Sequence, residues 1–491
     1  MTENIYSAVD QLIDYARKNL ELDPRNEDFT RNRIFSIFGL DGYRPTGAHT
    51  NASAPDQLIA DFTQACVVAG HISEEERDGL ADQVMGILSL SPAQIADRHT
   101  RIGQDKDGMQ AMSWFYDYCV ANHYVKRAML DKNPRFNSGQ VIVTINLAKP
   151  EFRDPKKAMT GNSVAGGYPQ CTICHENEGF AGRQKSTLRT VPITLDGQPW
   201  FWQFSPYGYF DQHGIAVNMD HTPMHVDDRT YYRLMDFVDQ FPGYFIGCNA
   251  ALPRIGGSVL GHDHYQGGGE TLPMHTAGTR VTYRVPQYEG AIVEIVDWPN
   301  TVVRVISKDR HAVADVSAQI ATAWLDFCDP EIGIIPRDEN GWHSAVSPTC
   351  VLTERGYEMS IIFRSNITSE EYPAGVFHAH PQFFAIKQES IGLIEAQGLF
   401  ILPARLERQL GQLADAIEQG KPLPAELAEF DFVNEEIHKL VDGSRDRRVI
   451  DQAIRDELGS VCERILENTA VFKEQWRTEK FLTDCGFVRS E

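Results

Sequence analysis

The sequence predicts an α+β protein built from two related β-rich blocks with helical segments at both ends. Apolar residues recur at three- and four-residue intervals near the start, as at Ile5, Val9, Leu12, Ala16 and Leu20. Runs of β-branched and aromatic residues dominate the middle of the chain, and helical spacing returns towards its end. At 491 residues the chain exceeds what one hydrophobic core usually supports, so duplicated halves or several domains are expected.

The first region, residues 1–138, is predicted to be helical. Apolar stripes run through residues 58–68, 80–88 and 112–129, and Pro and Gly separate them. The pattern contains no group of chemically reactive side chains. A helical support module is the simplest interpretation.

Two β-rich blocks follow, over residues 139–275 and 276–402. Glycines and prolines separate their short strand-like runs, and an amphipathic helix is predicted at 316–328 in the second block. Two such blocks in succession favour an α+β fold with two related halves. The strand-like runs lie at 141–146, 200–204, 214–219, 281–285, 291–296, 301–306 and 359–365.

The last region, residues 403–491, is again predicted to be helical. Leu406, Leu410, Leu413 and Ile417 form one apolar stripe that ends before Gly420, and a second stripe runs through 450–465. Both stripes are typical of helices that pack on a core.

Composition excludes several classes of protein. A formal net charge of −22 argues against nucleic-acid or anionic-membrane partners, which are bound through clustered Lys and Arg. No apolar run has the length of a membrane span, and the start lacks a basic segment followed by an apolar one, so a cytoplasmic location is expected. The nine cysteines are odd in number and mostly far apart, which is not a disulfide framework.

The stretch 256–269 places two histidines and a glutamine at alternate positions between glycine clusters. In an extended chain His262, His264 and Gln266 would share one face, about 6 to 7 Å apart. Glycines let an anion approach backbone N–H groups, and a neutral imidazole can attack phosphorus. The pattern favours a phosphate site with a histidine nucleophile whose ring faces a nucleotide-sized cavity. The alternative is a polar rim in a Gly-rich turn.

Cys171 and Cys174 form a Cys-x-x-Cys pair, which can supply two thiolate ligands to zinc. The other cysteines offer no second pair, so histidines must complete such a site, and His221 follows a predicted strand. Two alternatives remain at this point. One is a metal-free structural pair, and the other is a redox dithiol, which would need a strand-to-helix junction in a βαβ unit.

Three more histidines lie in the second block, at His343, His378 and His380. If the chain is extended there, His378 and His380 share one face, and with His343 and a carboxylate they could hold a second divalent metal. Alternatively, they bind a substrate phosphate or sugar hydroxyls. The recurrence of His-x-His in both blocks is what a duplicated fold would leave behind.

Taken together, these motifs resemble the galactose-1-phosphate uridylyltransferase family in its longer, type 2 form. The resemblance spans most of the chain, and its most specific parts are the Cys-x-x-Cys segment, which continues as Glu176-Asn-Glu-Gly179, and the segment 391–403. The other shared motifs are Asp220-His221-Thr222, His262-Asp-His264-Tyr-Gln266, Gly341-Trp-His343 and His378-Ala-His380.

The resemblance implies two histidine-triad-like halves with antiparallel sheets, a homodimer, and UDP-glucose and galactose 1-phosphate as substrates. It implies that His264 is the nucleophile that becomes uridylylated. The implied zinc ligands are Cys171, Cys174, His221 and His262. His343, His378 and His380 match ligands of a second metal such as iron or zinc, for which Glu270 is the nearest candidate carboxylate.

Further roles are expected around the transferred group. Histidine-triad hydrolases carry a third His where this chain has Gln266, and an amide cannot act as a base, which favours transfer over hydrolysis. Asn249 and the backbone around Gly257 and Ser258 would stabilise phosphoryl oxygens, and Glu395 would accept bonds from sugar hydroxyls. The alternative functions are a nucleotidyl hydrolase or phosphorylase acting on dinucleoside polyphosphates, and a noncatalytic zinc-binding scaffold.

Overall fold

The computed structural model describes residues 2–40, 42–147, 167–256, 259–339 and 341–490. Within them the protein is a mixture of helices and mainly antiparallel sheet, which confirms the predicted α+β class. No helix of this described part combines the length and the apolar character needed to cross a membrane.

Seven helices precede the first strand in the described residues. The predicted stripes bury the inner faces of the first, third and fourth helices, where Val9, Phe62 and Val84 are almost inaccessible. The predicted helix over 112–129 is instead two helices. At the end of the longer of the two, the side chain of Asn122 donates from Nδ2 to Thr187 O and accepts at Oδ1 from the N–H of Tyr124. The helices are α1 Thr2–Asn19, α2 Glu27–Ile37, α3 Asp56–Val68, α4 Arg77–Leu88, α5 Pro92–Asp105, α6 Gly108–Ala121 and α7 Arg127–Leu130.

The sheets contain sixteen strands within the described residues. All strand pairs are antiparallel except one, and most of the predicted strand-like runs are found within one or two residues of their expected limits. The strands are β1 Arg135–Ser138, β2 Val141–Asn146, β3 Val191–Leu195, β4 Gln198–Phe204, β5 Gly214–Asn218, β6 Phe245–Gly247, β7 His264–Gly268, β8 Thr279–Arg284, β9 Ile292–Val296, β10 Val302–Ser307, β11 Arg337–Asp338, β12 Gly341–Trp342, β13 Ser344–Thr353, β14 Gly356–Ser365, β15 Leu399–Pro403 and β16 Val488–Arg489.

The remaining helices lie between these strands and after β15. Helix α10 begins six residues before the predicted start, because the side chain of Asp309 caps it at the N–H of His311. The helices are α8 Asp228–Gln240, α9 Pro273–Thr276, α10 Arg310–Asp326, α11 Leu393–Ala396, α12 Arg405–Gln419, α13 Asp431–Val441, α14 Arg447–Thr469 and α15 Gln475–Asp484.

The large sheet has eleven strands in the order β16-β8-β9-β10-β14-β13-β6-β7-β5-β4-β3. In the large sheet, the order of three strands, a helix and two strands occurs twice. It occurs first as β3-β4-β5-α8-β6-β7 and then as β8-β9-β10-α10-β13-β14, with the separate hairpin β11-β12 inserted before β13. Equivalent strands occupy mirrored places in the sheet, and the two sets meet where β6 pairs with β13. The topology therefore repeats, as two related halves require.

A second sheet joins distant parts of the chain. Strand β2 pairs with β1 on one side and, in parallel, with β15 on the other, in the register Ile142↔Leu399. The run 141–146 is therefore a strand, as predicted, but it lies outside the large sheet. Helix α14 packs against β1 and β2 and against α12 and α13. The division of the chain at residues 138, 275 and 402 stays a prediction.

Candidate functional site

Two cysteines and two histidines converge on one point beside strand β7. The ligand atoms of Cys171, Cys174, His221 and His262 all lie within 4.8 Å of one another. Cys171 Sγ is 3.2 Å from Cys174 Sγ and 3.4 Å from His262 Nδ1, and Cys174 Sγ is 3.0 Å from His221 Nδ1. The structure thus brings together the four residues expected from the resemblance.

The backbone around the cluster is held by its neighbours. Asn177 donates from its amide nitrogen to the carbonyl oxygens of Cys171 and Cys174, at 2.9 and 2.8 Å. The other ring nitrogen of His262, Nε2, lies 2.8 Å from the carbonyl oxygen of Asn218. A proton on Nε2 makes that hydrogen bond and leaves the lone pair of Nδ1 directed at the two sulfurs. Both contacts orient ligand atoms towards a common centre.

The donor set fits a zinc ion. Zinc–sulfur and zinc–nitrogen bonds of about 2.3 and 2.0–2.1 Å in a tetrahedron require ligand separations of roughly 3.3 to 3.8 Å, and most separations here lie close to that range. Burial lowers the pKa of His262 to about 4, which keeps the ring neutral as a ligand must be. Burial also raises the pKa of the Cys174 thiol to about 12, so a thiolate there needs a cation beside it.

The redox alternative for the cysteine pair is not supported by its surroundings. A short 3-10 turn, His175–Asn177, follows Cys174, and a second one, Ala181–Arg183, follows that. A thioredoxin-like dithiol would sit where a strand leads into an α-helix. The described residues 167–190 contain no such junction.

His264 is the first residue of β7, and its ring is fixed by its own backbone. Nδ1 of His264 lies 2.8 Å from the carbonyl oxygen of His262, and Nε2 has no hydrogen-bond partner among the described residues. Because a carbonyl only accepts, Nδ1 carries the proton and Nε2 keeps its lone pair. Burial lowers the pKa of His264, so the ring is neutral near pH 7.

The accessibility of His264 differs from the expectation. The residue is only 4 % exposed, whereas the sequence predicted a ring facing a nucleotide-sized cavity. The neighbouring Tyr265 points to the opposite face of β7 and stacks on Trp200 at 4.8 Å in the core. This packing fixes the position of His264 in the sheet.

Gln266 lies on the same face of β7 as His264, as predicted. It is half-buried and pairs across the sheet with Ile215 of β5 and Gly247 of β6. Gly268 follows it at a place where a Cβ would lie 2.7 Å from the carbonyl oxygen of Gln212. The glycine after the motif is therefore required by the close approach of backbone, in addition to any contact with a ligand.

The loop between β6 and β7 contains the residues expected to hold the transferred group. The side-chain oxygen of Asn249 accepts a 2.8 Å bond from the N–H of Leu393. Gly256 adopts φ 111° and packs so closely on Gly392 that a Cβ would lie 2.7 Å from its Cα. Gly257 and Ser258, also expected here, lie outside the described residues.

Glu395 has a different role from the one expected. Its carboxylate accepts a 2.8 Å bond from Lys387 Nζ and a 2.9 Å bond from the N–H of Gly392. Lys387 is 1 % exposed. A carboxylate committed to a buried ammonium and to a helix N-terminus is a structural group, so the prediction that it binds sugar hydroxyls is not supported.

The second set of histidines does not assemble into a metal site. Among the described residues, the Cys/His cluster is the sole group of three or more such ligand atoms within 4.8 Å. Nδ1 of His378 lies 3.0 Å from Ala379 O, and Nε2 of His380 lies 3.2 Å from Val376 O. Glu270, the candidate carboxylate, pairs with Arg135 instead. These side chains, as they are placed, do not form a second cluster of metal ligands in the described part of the chain, and the second metal stays a prediction.

The two His-x-His pairs also do not occupy equivalent positions in the two halves. His264 begins β7, whose counterpart in the repeat is β14, but His378 and His380 lie in irregular chain thirteen and fifteen residues after β14 ends at Ser365. The duplication is a property of the topology. The recurrence of His-x-His was not a valid sign of it.

Several residues that shape the site were missed from the sequence. Asn177 and Asn218 orient the cluster, and Asn366 with Arg254 fastens the loop before β7. A signal existed for Asn177 alone, because it lies three residues after Cys174 in the segment Glu176-Asn-Glu-Gly179. Asn218 accepts with its main-chain carbonyl from the His262 ring, and the side chain of Asn366 contacts His343 and Pro253 O. These partners lie far away in sequence, so no local pattern reveals them.

The fold and site define a class of α+β protein with two topologically equivalent halves and a Cys₂His₂ cluster beside a buried histidine. The family model "Galactose-1-phosphate uridyl transferase, N-terminal domain" matches residues 22–223. A galactose-1-phosphate uridylyltransferase of Bifidobacterium longum subsp. longum is 57 % identical over 506 residues, covering 99 % of this chain and 98 % of that protein.

Galactose-1-phosphate uridylyltransferases of Halalkalibacterium halodurans and Bacillus subtilis are each 33 % identical, over 95 % and 96 % of this chain and 95 % of each relative. The chain belongs to the galactose-1-phosphate uridylyltransferase family. Among solved structures, yeast Ap4A phosphorylase Apa2 is 12 % identical with a TM-score of 0.30 over 50 % of this chain and 80 % of that one. That likeness is too low to inform the fold.

Proposed function

We propose that this protein is a uridylyltransferase that exchanges UMP between UDP-glucose and galactose 1-phosphate. Relatives covering nearly the whole chain carry the name galactose-1-phosphate uridylyltransferase, which favours transfer over the hydrolase and phosphorylase alternatives. The Cys/His cluster and His264 stand next to each other in the chain and in space. The substrates named here follow from that family.

The observation that carries the proposal is the bond between Nδ1 of His264 and the carbonyl oxygen of His262. It holds the imidazole in the tautomer whose Nε2 lone pair is available for attack, and burial keeps the ring neutral. A nucleophile that is already deprotonated and oriented needs no base to activate it.

In the first step, Nε2 of His264 attacks the α-phosphorus of UDP-glucose. The bond from phosphorus to the bridging oxygen breaks, glucose 1-phosphate leaves with the electron pair, and uridylyl-His264 remains. In the second step, a phosphate oxygen of galactose 1-phosphate attacks the same phosphorus and returns the electron pair to Nε2. The products are UDP-galactose and the free imidazole.

Gln266 supports transfer in preference to hydrolysis. Its amide can donate a hydrogen bond to a phosphoryl oxygen but cannot take a proton from water. The sugar phosphates have a second pKa of about 6 and leave or attack as anions, so they require no general acid or base at this position. Water as the acceptor would react faster if a general base stood at this position.

The four residues of the cluster would hold zinc, which would cross-link the segment at residues 171–174 to the strand that carries the nucleophile. Asn218 and Asn177 orient His262 and the cysteines in that arrangement. His262, so fixed, supplies the carbonyl oxygen that holds His264. The cluster thereby positions the reactive ring without touching the phosphorus.

Asn249 and the backbone from Gly256 to Ser258 are proposed to contact the phosphoryl oxygens of the bound nucleotide. A cytoplasmic homodimer is proposed on the family resemblance. The second metal and the sugar-binding role of Glu395 are not part of the proposal.

The test is to incubate the protein with UDP-glucose labelled in its uridine, denature it and measure acid-labile label on the chain. We expect close to one label per chain, which galactose 1-phosphate chases into UDP-galactose. Rapid release of labelled UMP without any acceptor would instead support the hydrolase alternative. A chain that takes up no label and exchanges nothing would support the scaffold alternative.

A further inference from the structure

The loop between β6 and β7, of which the structure describes residues 248–256 and 259–263, is anchored on the other half of the protein through its first part. Ala250, Leu252 and Ile255 pack against Ala345 of β13, in the second half of the sheet. The loop ends at the histidine that begins β7. Any displacement of this loop relative to the second half would therefore move the chain that leads into His264.

Polar contacts fasten the same loop to the end of β14. Arg254 donates from Nη2 to the carbonyl oxygen of Asn366 at 2.9 Å, and Asn366 donates from Nδ2 to the carbonyl oxygen of Pro253 at 3.1 Å. Two bonds in opposite directions thus join residues 253–254 to one asparagine.

The backbone of the loop indicates why such fastening is needed. Arg254 has φ 70°, in the left-handed region that residues with a Cβ rarely adopt. This conformation persists only when surrounding contacts impose it. The bonds to Asn366 are such contacts, and they act within two residues of Gly256.

His343 is the third residue of this arrangement. Its Nδ1 lies 2.9 Å from Oδ1 of Asn366. The carbonyl of Pro253 can only accept, so the amide nitrogen of Asn366 must face it and Oδ1 must face His343. Nδ1 of His343 therefore donates. The result is a directed chain of hydrogen bonds from His343 through Asn366 to Pro253.

This arrangement gives His343 a role that needs no metal. Nδ1 is hydrogen-bonded to Asn366, and Nε2 lies 3.1 Å from Asp338 Oδ1. His378 and His380 are bonded to main-chain carbonyls, and no third ligand joins His343 and Asp338 among the described residues. His343 therefore forms a hydrogen-bonded bridge through Nδ1, whatever the outcome for the predicted second metal.

We propose that His343 and Asn366 are positioning residues for uridylyl transfer. They hold the loop 253–256 in the conformation that presents its backbone donors to the nucleotide, and they do so without a metal. The inference rests on the proposed function, since it assigns these residues to the same reaction. It predicts that loosening the bridge slows formation of uridylyl-His264 and leaves the metal content of the Cys/His cluster unchanged.

The experiment compares His343→Ala and Asn366→Asp with the wild-type chain. Asn366→Asp keeps an acceptor for His343 and the volume of the side chain, but it removes the donor to Pro253. We expect kcat/KM for labelling by UDP-glucose to fall about 10²-fold in each, the scale of a misplacement of about 1 Å. The double variant should lose little more than either single variant, because both changes break one chain of bonds.

The matched control is His311→Ala, on helix α10. It removes another histidine, whose Nδ1 lies 2.9 Å from Tyr232 Oη. Metal per chain is measured by mass spectrometry, and unfolding temperature is recorded for every variant. Slow labelling with unchanged metal content in the two variants supports the proposed role of the His343–Asn366 bridge. If His343→Ala folds poorly, Asn366→Asp still tests the bond from Asn366 to Pro253.

Two results would overturn the inference. One is loss of a metal equivalent in His343→Ala, which would make His343 a ligand. The other is labelling by Asn366→Asp as fast as labelling by the His311→Ala control. If the wild-type chain takes up no label, the proposed function fails instead, so the two failures are distinguishable.

Discussion

Nδ1 of His264 lies 2.8 Å from the carbonyl oxygen of His262, and the ring of His262 belongs to the Cys/His cluster. One residue therefore contributes its side chain to the cluster and its main chain to the proposed nucleophile. The rotation of the His264 ring depends on where the cluster holds His262. Changes to the cluster should consequently alter the rate of uridylyl transfer, although no ligand of the cluster needs to contact the substrate.

Replacing the nucleophile should abolish covalent labelling. His264→Ala removes Nε2, and loss of an enzymatic nucleophile lowers kcat on the order of 10⁴- to 10⁶-fold. The measurement is acid-labile label from uridine-labelled UDP-glucose together with the rate of UDP-galactose formation. His311→Ala should behave as wild type. Full labelling of His264→Ala would place the nucleophile elsewhere.

Replacing Gln266 by histidine should shift the balance towards hydrolysis. An imidazole at this position can take a proton from water, and general-base assistance contributes on the order of 10²-fold or more. We expect UMP release from the labelled Gln266→His chain to rise by about that factor in the absence of galactose 1-phosphate. Gln266→Ala, which offers no base, should slow transfer without increasing UMP release. Equal hydrolysis by both variants would contradict the assigned role.

Removing one thiolate should empty the cluster. Cys174→Ser is expected to lose bound metal and to unfold several degrees lower, because metal binding to the folded state contributes to stability. The checks are metal per chain by mass spectrometry and the unfolding temperature with and without added zinc. Cys328→Ser, at an exposed cysteine, is the control. Equal metal content in both variants would show that Cys174 is not a ligand of the bound metal.

Breaking the buried ion pair between Lys387 and Glu395 should lower the stability of the protein. Glu395→Gln removes the charge that faces a lysine 1 % exposed, although Glu389 Oε2 remains 3.2 Å from Lys387 Nζ. We expect a loss of up to about 3 kcal/mol in the free energy of unfolding by urea. The KM for galactose 1-phosphate should stay near the wild-type value. A raised KM with unchanged stability would restore the role in sugar binding.

Stability should fall below about pH 6.5 in part because of His99. Burial among aromatic rings, with Phe115 at 6.2 Å, lowers the pKa of His99 to about 4. The unfolded chain binds the proton more readily than the folded chain. The contribution of neutral His99 to the free energy of unfolding, about 3 kcal/mol, is therefore complete above the unfolded pKa and is lost as pH falls towards 4. His99→Phe should flatten urea unfolding curves measured between pH 7 and pH 4.5. An unchanged pH dependence would contradict this assignment.

Much of the fold could be predicted because amphipathic spacing is local. The stripes of α1, α12 and α14 and the β-branched runs of β2 and β10 were recognisable, since their side chains alternate at the period of the element. Strand partners were not recognisable in this way. The pattern of β2 is the same whether it pairs inside the large sheet or, as found, with β15.

The candidate site could be predicted where ligand chemistry is distinctive. Two cysteines three positions apart allow few uses, and the cluster formed as expected around Cys171 and His262. Histidines allow many uses, so His343 could not be told from a metal ligand by its sequence. Its actual partner, Asn366, lies twenty-three residues away and contributes an ordinary amide.

The parallel pairing of β2 with β15 also bears on how the chain is made. During synthesis at roughly 5–20 residues per second, the segment near Ile142 emerges tens of seconds before its partner near Leu399 can leave the ribosome. Until then one edge of a β-branched strand is open, and open edges of this composition promote aggregation. Nascent chains of this protein should therefore depend on chaperones that shield that edge, and translational pausing ahead of residue 399 should lower the yield of folded enzyme.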